Sequence, residues 1–185
     1  MGRNFLIFIQ MVVATVLGVA SSSAFAQTIN GSAEVVVVSS LSLVKSDDLN
    51  FANIIPTAAA GTVTVSPAGV RTATGGSVLA GGSPSAAAFS GLGARNQQVR
   101  ISFGAASITL NRTGGGATMT VDTFTLQALV ANGLSQIGAG NGPPRYRITS
   151  STGLFSFTVG ARLLVAGNQP GGLYTGSFNV TVDYQ

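Results

Sequence analysis

The sequence predicts an all-β protein, a single antiparallel sandwich of about eight to ten short strands. Three observations carry this. Apolar residues recur at every second position in several runs, the longest being Phe155 to Val165 and Tyr174 to Tyr184. The runs are interrupted at short intervals by Gly, Pro, Asn and Asp, and the chain holds 25 glycines. Hydrophobic residues make up 45% and charged residues 8%, so the chain has the apolar content for a core that a disordered chain lacks.

Residues 1–26 read as a secretory signal peptide. Arg3 supplies positive charge, Phe5 to Ala20 is apolar apart from Gln10, Thr15 and Gly18, and Ala24-Phe25-Ala26 has the small-x-small pattern of a cleavage site. The apolar run falls short of the ~20 residues of a membrane span, so removal is expected rather than anchoring. Gln27 is then the first residue of an exported chain. The expected route is a Sec-type signal into the periplasm, then the cell surface or medium. The remainder is long enough for one domain with its own core, divided into an N-terminal strand, 27–38, and a sandwich, 39–185.

The N-terminal strand alternates Ile29, Gly31, Ala33, Val35 and Val37 with Thr28, Asn30, Ser32 and Glu34, after which Val36 and Val38 are apolar too. Leu41 and Leu43 continue the odd parity, and Ser46-Asp47-Asp48 is expected to turn. A short strand is expected over Leu49 to Ile55, before Pro56, and another over Thr62 to Ser66 beyond Ala58-Ala59-Ala60-Gly61. Val70 to Thr74 and Gly76 to Leu79 flank Gly75-Gly76, and Ala86 to Leu92 reads as a small-residue strand.

Gln97 to Phe103 places Val99, Ile101 and Phe103 inward. Ile108 and Leu110 mark the next strand, ended by a hairpin turn at Thr113 to Gly116. In Thr118 to Leu126 the parity switches from Met119 and Val121 to Phe124 and Leu126, which predicts either a bulge near Asp122 or a strand that crosses between sheets. Leu126 to Ile137 is the one place where a helical turn is expected. Gly138 to Pro144 is a loop, Tyr146 and Ile148 mark a short strand, and Phe155 to Val165 is the longest internal one. Ala166 to Gly172 turns into a final strand, Tyr174 to Tyr184, with only Gln185 after it. That strand is expected to lie at an edge that another molecule completes.

The composition argues against most chemistry. The chain has no His and no Cys, so a His- or thiol-based triad and a thiolate zinc site are excluded. Lys45 lies beside an acidic turn and reads as a solvated charge rather than a catalytic base. Asp47 and Asp48 are neighbours whose side chains diverge, unlike the facing pair of a glycosidase. They could contribute to a calcium site, but a plain acidic turn is the simpler reading. The glycine runs lack the GK[ST] of a phosphate loop. Neither an enzyme nor a cofactor is expected, and no small-molecule substrate is evident.

The pI near 10.4 arises from a net charge of only +4. Arg71, Arg95, Arg100, Arg112, Arg145, Arg147 and Arg162 are dispersed in sequence, and only Arg145 and Arg147 are expected to share a strand face. Without a basic cluster interleaved with aromatics, no nucleic-acid partner is expected.

The two termini resemble chaperone–usher pilus subunits. Such subunits end in an alternating strand with a penultimate aromatic, here Tyr184, and a Gly fourteen places from the end, here Gly172. Their donor strand carries a Gly next to its outermost inward position, as Gly31 does beside Ile29. Gly61-Thr-Val-Thr-Val-Ser-Pro67 and Tyr174-Thr-Gly-Ser-Phe-Asn-Val-Thr-Val182 are similar to the secreted bacterial family called domain of unknown function 4402. Leu49-Asn50-Phe51-Ala52 and the last strand are similar to spore coat protein U-like fimbrial subunits. Two departures stand out: many such pilins contain cysteines, and Ala52 occupies a position where Gly is usual.

The resemblance implies an Ig-like, pilin-like sandwich short of one strand, completed by β-augmentation from a neighbour. It assigns Ile29, Gly31, Ala33, Val35 and Val37 to the donor strand. It assigns Gly172, Tyr174, Phe178, Val180, Val182 and Tyr184 to the interface with a chaperone or the next subunit. The implied partners are identical or related subunits, a periplasmic chaperone and an outer-membrane usher. The alternatives are a self-contained secreted sandwich whose own residues 27–38 form the first strand, and a fimbrial adhesin. For the adhesin, the lack of Trp leaves no evident aromatic sugar platform.

Overall fold

The computed structural model describes residues 35, 37, 39–138 and 144–185. The chain divides into two units, Met1–Val36 and Val37–Gln185; the fold lies in the second.

Among the described residues twelve strands follow in order: β1 (Ser42–Asp47), β2 (Ile54–Val65), β3 (Arg71–Leu79), β4 (Ala87–Leu92), β5 (Gln98–Phe103), β6 (Ser107–Arg112), β7 (Thr118–Ala128), β8 (Leu134–Ile137), β9 (Arg145–Ile148), β10 (Leu154–Val165), β11 (Tyr174–Thr175) and β12 (Val180–Tyr184). A 3-10 turn at Val130–Asn132 lies where the helical turn was expected. The strands form two antiparallel sheets, and the all-β sandwich is the architecture the alternation predicts. The first sheet runs β1-β4-β10-β7-β6-β11, with β2 and β3 extending it; the second runs β12-β5-β9-β8.

β10 is the spine. Phe155, Phe157, Val159, Ala161, Leu163 and Val165 are all buried on one face, as period two requires. Leu154 to Val159 pairs with β4, Ala161 to Val165 pairs with β2, and the other edge pairs with β7. Gly160 sits at the handover, where a Cβ would meet the Val65 carbonyl oxygen at 2.3 Å. On the β7 side, Gly160 pairs with Thr125 and Arg162 with Asp122. Two residues of β7 thus face one of β10, which is the bulge expected near Asp122. The bulge lets Val121 and Phe124 serve one core in spite of the parity switch.

The structure corrects several boundaries. β1 does not turn at Ser46; it continues past an irregularity to pair Asp47 with Ala88. The two strands expected between Leu49 and Ser66 form one strand, β2, with an irregularity between Pro56 and Gly61. Pro56 is tolerated because β10 reaches only the Gly61–Val65 end of β2, so at Pro56 one side of the strand has no ladder to lose. Arg71–Leu79 likewise forms a single strand, β3, where two were expected. The final run is split: β11 pairs with β6 in the first sheet, whereas β12 pairs with β5 in the second. Gly176 to Asn179 carries the chain across.

The core has two parts. One lies between the sheets and includes Phe89, Val99, Ile101, Leu134, Tyr146, Phe155 and Phe157. Phe89 and Phe157 stack with ring centroids 5.2 Å apart. Burial of Tyr146 raises the pKa of its phenol. The other part, Val63, Met119, Val121, Ala161, Leu163 and Val165, lies on the far half of the first sheet. Leu49, Phe51, Ile54 and Tyr174, from loops and short segments, pack against that half.

Candidate assembly groove

Partial cover of the second core leaves a groove of about 630 Å³. Its floor includes Leu110, Met119, Val121 and Leu163, and its walls are residues 48–54 and 169–178. Both walls are held by specific hydrogen bonds. Arg71 Nη1 donates to the carbonyl oxygens of Phe51 (2.8 Å) and Asn53 (3.1 Å), and Nη2 to that of Ala80 (3.3 Å). These three acceptors fix the Phe51–Asn53 loop against β3. Opposite, the Gln169 amide donates to the Thr118 carbonyl (3.1 Å) and the Tyr174 hydroxyl (2.8 Å), which in turn donates to the Pro170 carbonyl (2.6 Å).

Ala52 adopts a φ of 55°, in the left-handed region, and its N–H donates to Asn50 Oδ1 at 2.8 Å. That conformation suits Gly best.

Of the residues assigned to the C-terminal interface, Phe178, Val180, Val182 and Tyr184 form one inward line along β12 and its approach, packed against the first core. Phe178 lies 5.1 Å from the Phe124 ring and 6.3 Å from that of Phe89, centroid to centroid. Tyr174 and Gly172 do not continue that line. They lie at the far edge of the first sheet, in the groove wall. Gly172 has a φ of 152°, and a Cβ there would meet Arg112 Nε at 2.6 Å; that nitrogen donates to the Gly171 carbonyl. Of the donor-strand residues, Ile29, Gly31 and Ala33 lie outside the described residues. Val35 and Val37 are outside any strand and 84% and 88% exposed.

β12 is unevenly covered. It ends the order of its sheet, and among the described residues its second edge has no paired strand. Val99 and Ile101 of β5 are fully buried, but their register partners Tyr184 and Val182 are only half-buried. The backbone parity can be assigned. The Asn179 carbonyl accepts from Gly104 N–H, and Gln185 N–H donates to the Gln98 carbonyl. In an antiparallel ladder the odd residues of β12 therefore bond to β5, and the even ones, Val180, Val182 and Tyr184, point their backbone groups to the free edge.

The acidic turn forms no metal-binding group. Asp48 pairs with Lys45, and no cluster of three metal-ligating side chains occurs among the described residues. The groove walls from Leu49 to Ile54 were missed as a site by sequence reasoning. Their signal was the Leu-Asn-Phe-Ala string, which was noted but given no role.

Fold and groove together define an antiparallel β-sandwich domain with a half-covered edge strand and an apolar cleft over its second core. The chain belongs to the family described as domain of unknown function (DUF4402), which it matches over residues 41–184. No curated protein and no solved structure matches it.

Proposed function

We propose that this protein is a non-enzymatic structural subunit of a bacterial surface fibre, completed by a strand from another molecule. The supporting observation is the uneven cover of β12: buried side chains on β5 face half-buried ones on the edge strand. An added strand would pair with Val180, Val182 and Tyr184 and insert alternate side chains over the exposed core. Three large aliphatics buried in this way contribute ~1.5–3 kcal/mol each. In this reading residues 27–38 of a neighbour are the donor. A periplasmic chaperone holds the groove first, and an usher exports the subunit to the surface.

The second reading is self-completion. Tyr184 Oη donates to the carbonyl of the chain's own Ser39 at 2.9 Å, and Ser39 directly follows the segment 27–38. The chain's own strand would then fill the edge.

Concentration separates the two. The fibre reading expects a purified exported chain that aggregates or forms multimers, is rescued by a co-expressed chaperone, and stops polymerising when residues 27–38 are deleted. A sharp, reversible unfolding transition that is independent of concentration, in a strictly monomeric chain, would overturn it.

A further inference from the structure

Arg100 meets two arginines distant from it in sequence, Arg145 and Arg147, on the outward face of the second sheet. Arg100 of β5 lies directly opposite Arg145 of β9, and Arg147 lies opposite Gln98 one step along. Directly opposed Cβ atoms in an antiparallel pair are about 4.5–5.5 Å apart, and like charges so placed are destabilising. One carboxylate, Asp183 of β12, faces Arg100 from the other side. The ion pairs among the described residues are Lys45–Asp48 and Arg162–Asp122, so none of the three arginines is neutralised by one. Arg145 and Arg147 are exposed. Arg100 Nε is shut off from water and meets no acceptor.

We propose that this face binds an acidic polysaccharide through its carboxylate or sulfate groups. The planar guanidinium fork fits such groups bidentately. Gln98 and Ser135, which both face Arg147 in register, add neutral hydrogen-bonding groups suited to sugar hydroxyls. The face spans three adjacent strands, a flat strip about 10 Å across. A strip without walls holds a single small anion weakly, whereas a polymer adds one contact to the next. Tyr146 and Tyr184 of this sheet face the core, so no stacking platform favours single-stranded nucleic acid. The site is on the side of the sheet away from the groove and does not depend on which strand completes β12.

The test uses the full chain as isolated from the secreting host, titrated with polygalacturonate, dextran sulfate, neutral dextran and a single-stranded oligonucleotide. Binding of one or both acidic polymers is expected, weakening as salt rises. Replacing all three arginines by Gln should weaken it roughly tenfold or more, about 1.4 kcal/mol. R145Q and R147Q, singly and at exposed positions, should each weaken it in part, which covers a triple variant that fails to fold. D183N should tighten binding and K45Q should leave it unchanged. Undiminished binding by the singly and triply substituted chains would overturn the proposal. So would equal binding of neutral dextran, tighter binding of the oligonucleotide, or no binding of either acidic polymer at low salt.

Discussion

The Tyr184 hydroxyl joins the two ends of the sandwich: it accepts a hydrogen bond from the Ala94 N–H at 2.6 Å and donates one to the Ser39 carbonyl at 2.9 Å. Ser39 leads into the edge strand of one sheet, and Tyr184 lies in the edge strand of the other. A single side chain therefore ties β12 to the segment that leads into β1.

Tyr184→Phe keeps the packing and removes both bonds. It should lower stability by about 1–2 kcal/mol, because the Ala94 N–H loses its acceptor. A urea titration should show a lower midpoint with the slope unchanged, and amide exchange at Ala94 should quicken. An unaltered midpoint would show that the bridge carries no stability.

Ala52→Gly should stabilise the protein. Ala at a φ of 55° carries a steric penalty of about 1–2 kcal/mol that Gly escapes, less the greater freedom Gly has in the unfolded chain. The net expectation is about 0.5–1 kcal/mol, measured as a rise in midpoint. A decrease would mean that the Ala52 methyl contributes more packing than its backbone costs.

Arg162 and Asp122 form a two-pronged pair, Nε to Oδ1 and Nη2 to Oδ2, both 2.8 Å. The hydrogen bonds from Arg162 lower the Asp122 pKa. A carboxylate with a depressed folded pKa contributes stability above its unfolded value, and that stability is lost as pH falls through the folded one. Asp122→Asn should therefore melt lower than the parent at pH 7, and the gap should close in strong acid. Melting curves from pH 7 to pH 2 check this; a gap that persists at pH 2 would assign the loss to something other than charge.

Proline distinguishes the two edges of β12. At Val182 it removes an N–H directed at the free edge and leaves the β5 ladder intact. At Asp183 it removes one directed at β5. Val182→Pro should retain the fold better and, if the chain assembles by strand addition as proposed, impair polymerisation. Asp183→Pro should destabilise the domain itself. Equal polymerisation by folded Val182→Pro and parent chains would count against strand addition at this edge.

The legible parts of this fold were the ones set by local period and turn chemistry. β10, β5, the β6–β7 hairpin and the bulge at Asp122 follow from side-chain parity, because alternate residues of a strand must face opposite sides. Strand boundaries around Pro56 and Gly75 were misplaced because breaker residues punctuate a strand only where a neighbour needs their backbone groups. The partition of Tyr174 to Tyr184 between two sheets was not legible, since a crossing strand keeps its alternation while changing partners.

By itself the sequence determined the all-β class, the alternation that turns Phe178, Val180, Val182 and Tyr184 inward but wrongly continues through Tyr174, and the exclusion of histidine and thiol chemistry. Those properties depend on composition and on a period of two, which need no knowledge of partners. The tertiary structure alone decided that β12 ends its sheet, that Arg71 and Gln169 hold the walls of a groove over the second core, and that Arg100 meets Arg145 and Arg147 on one face. Each of these depends on strand order and register, and a run of alternating residues satisfies many orders equally well until packing selects one.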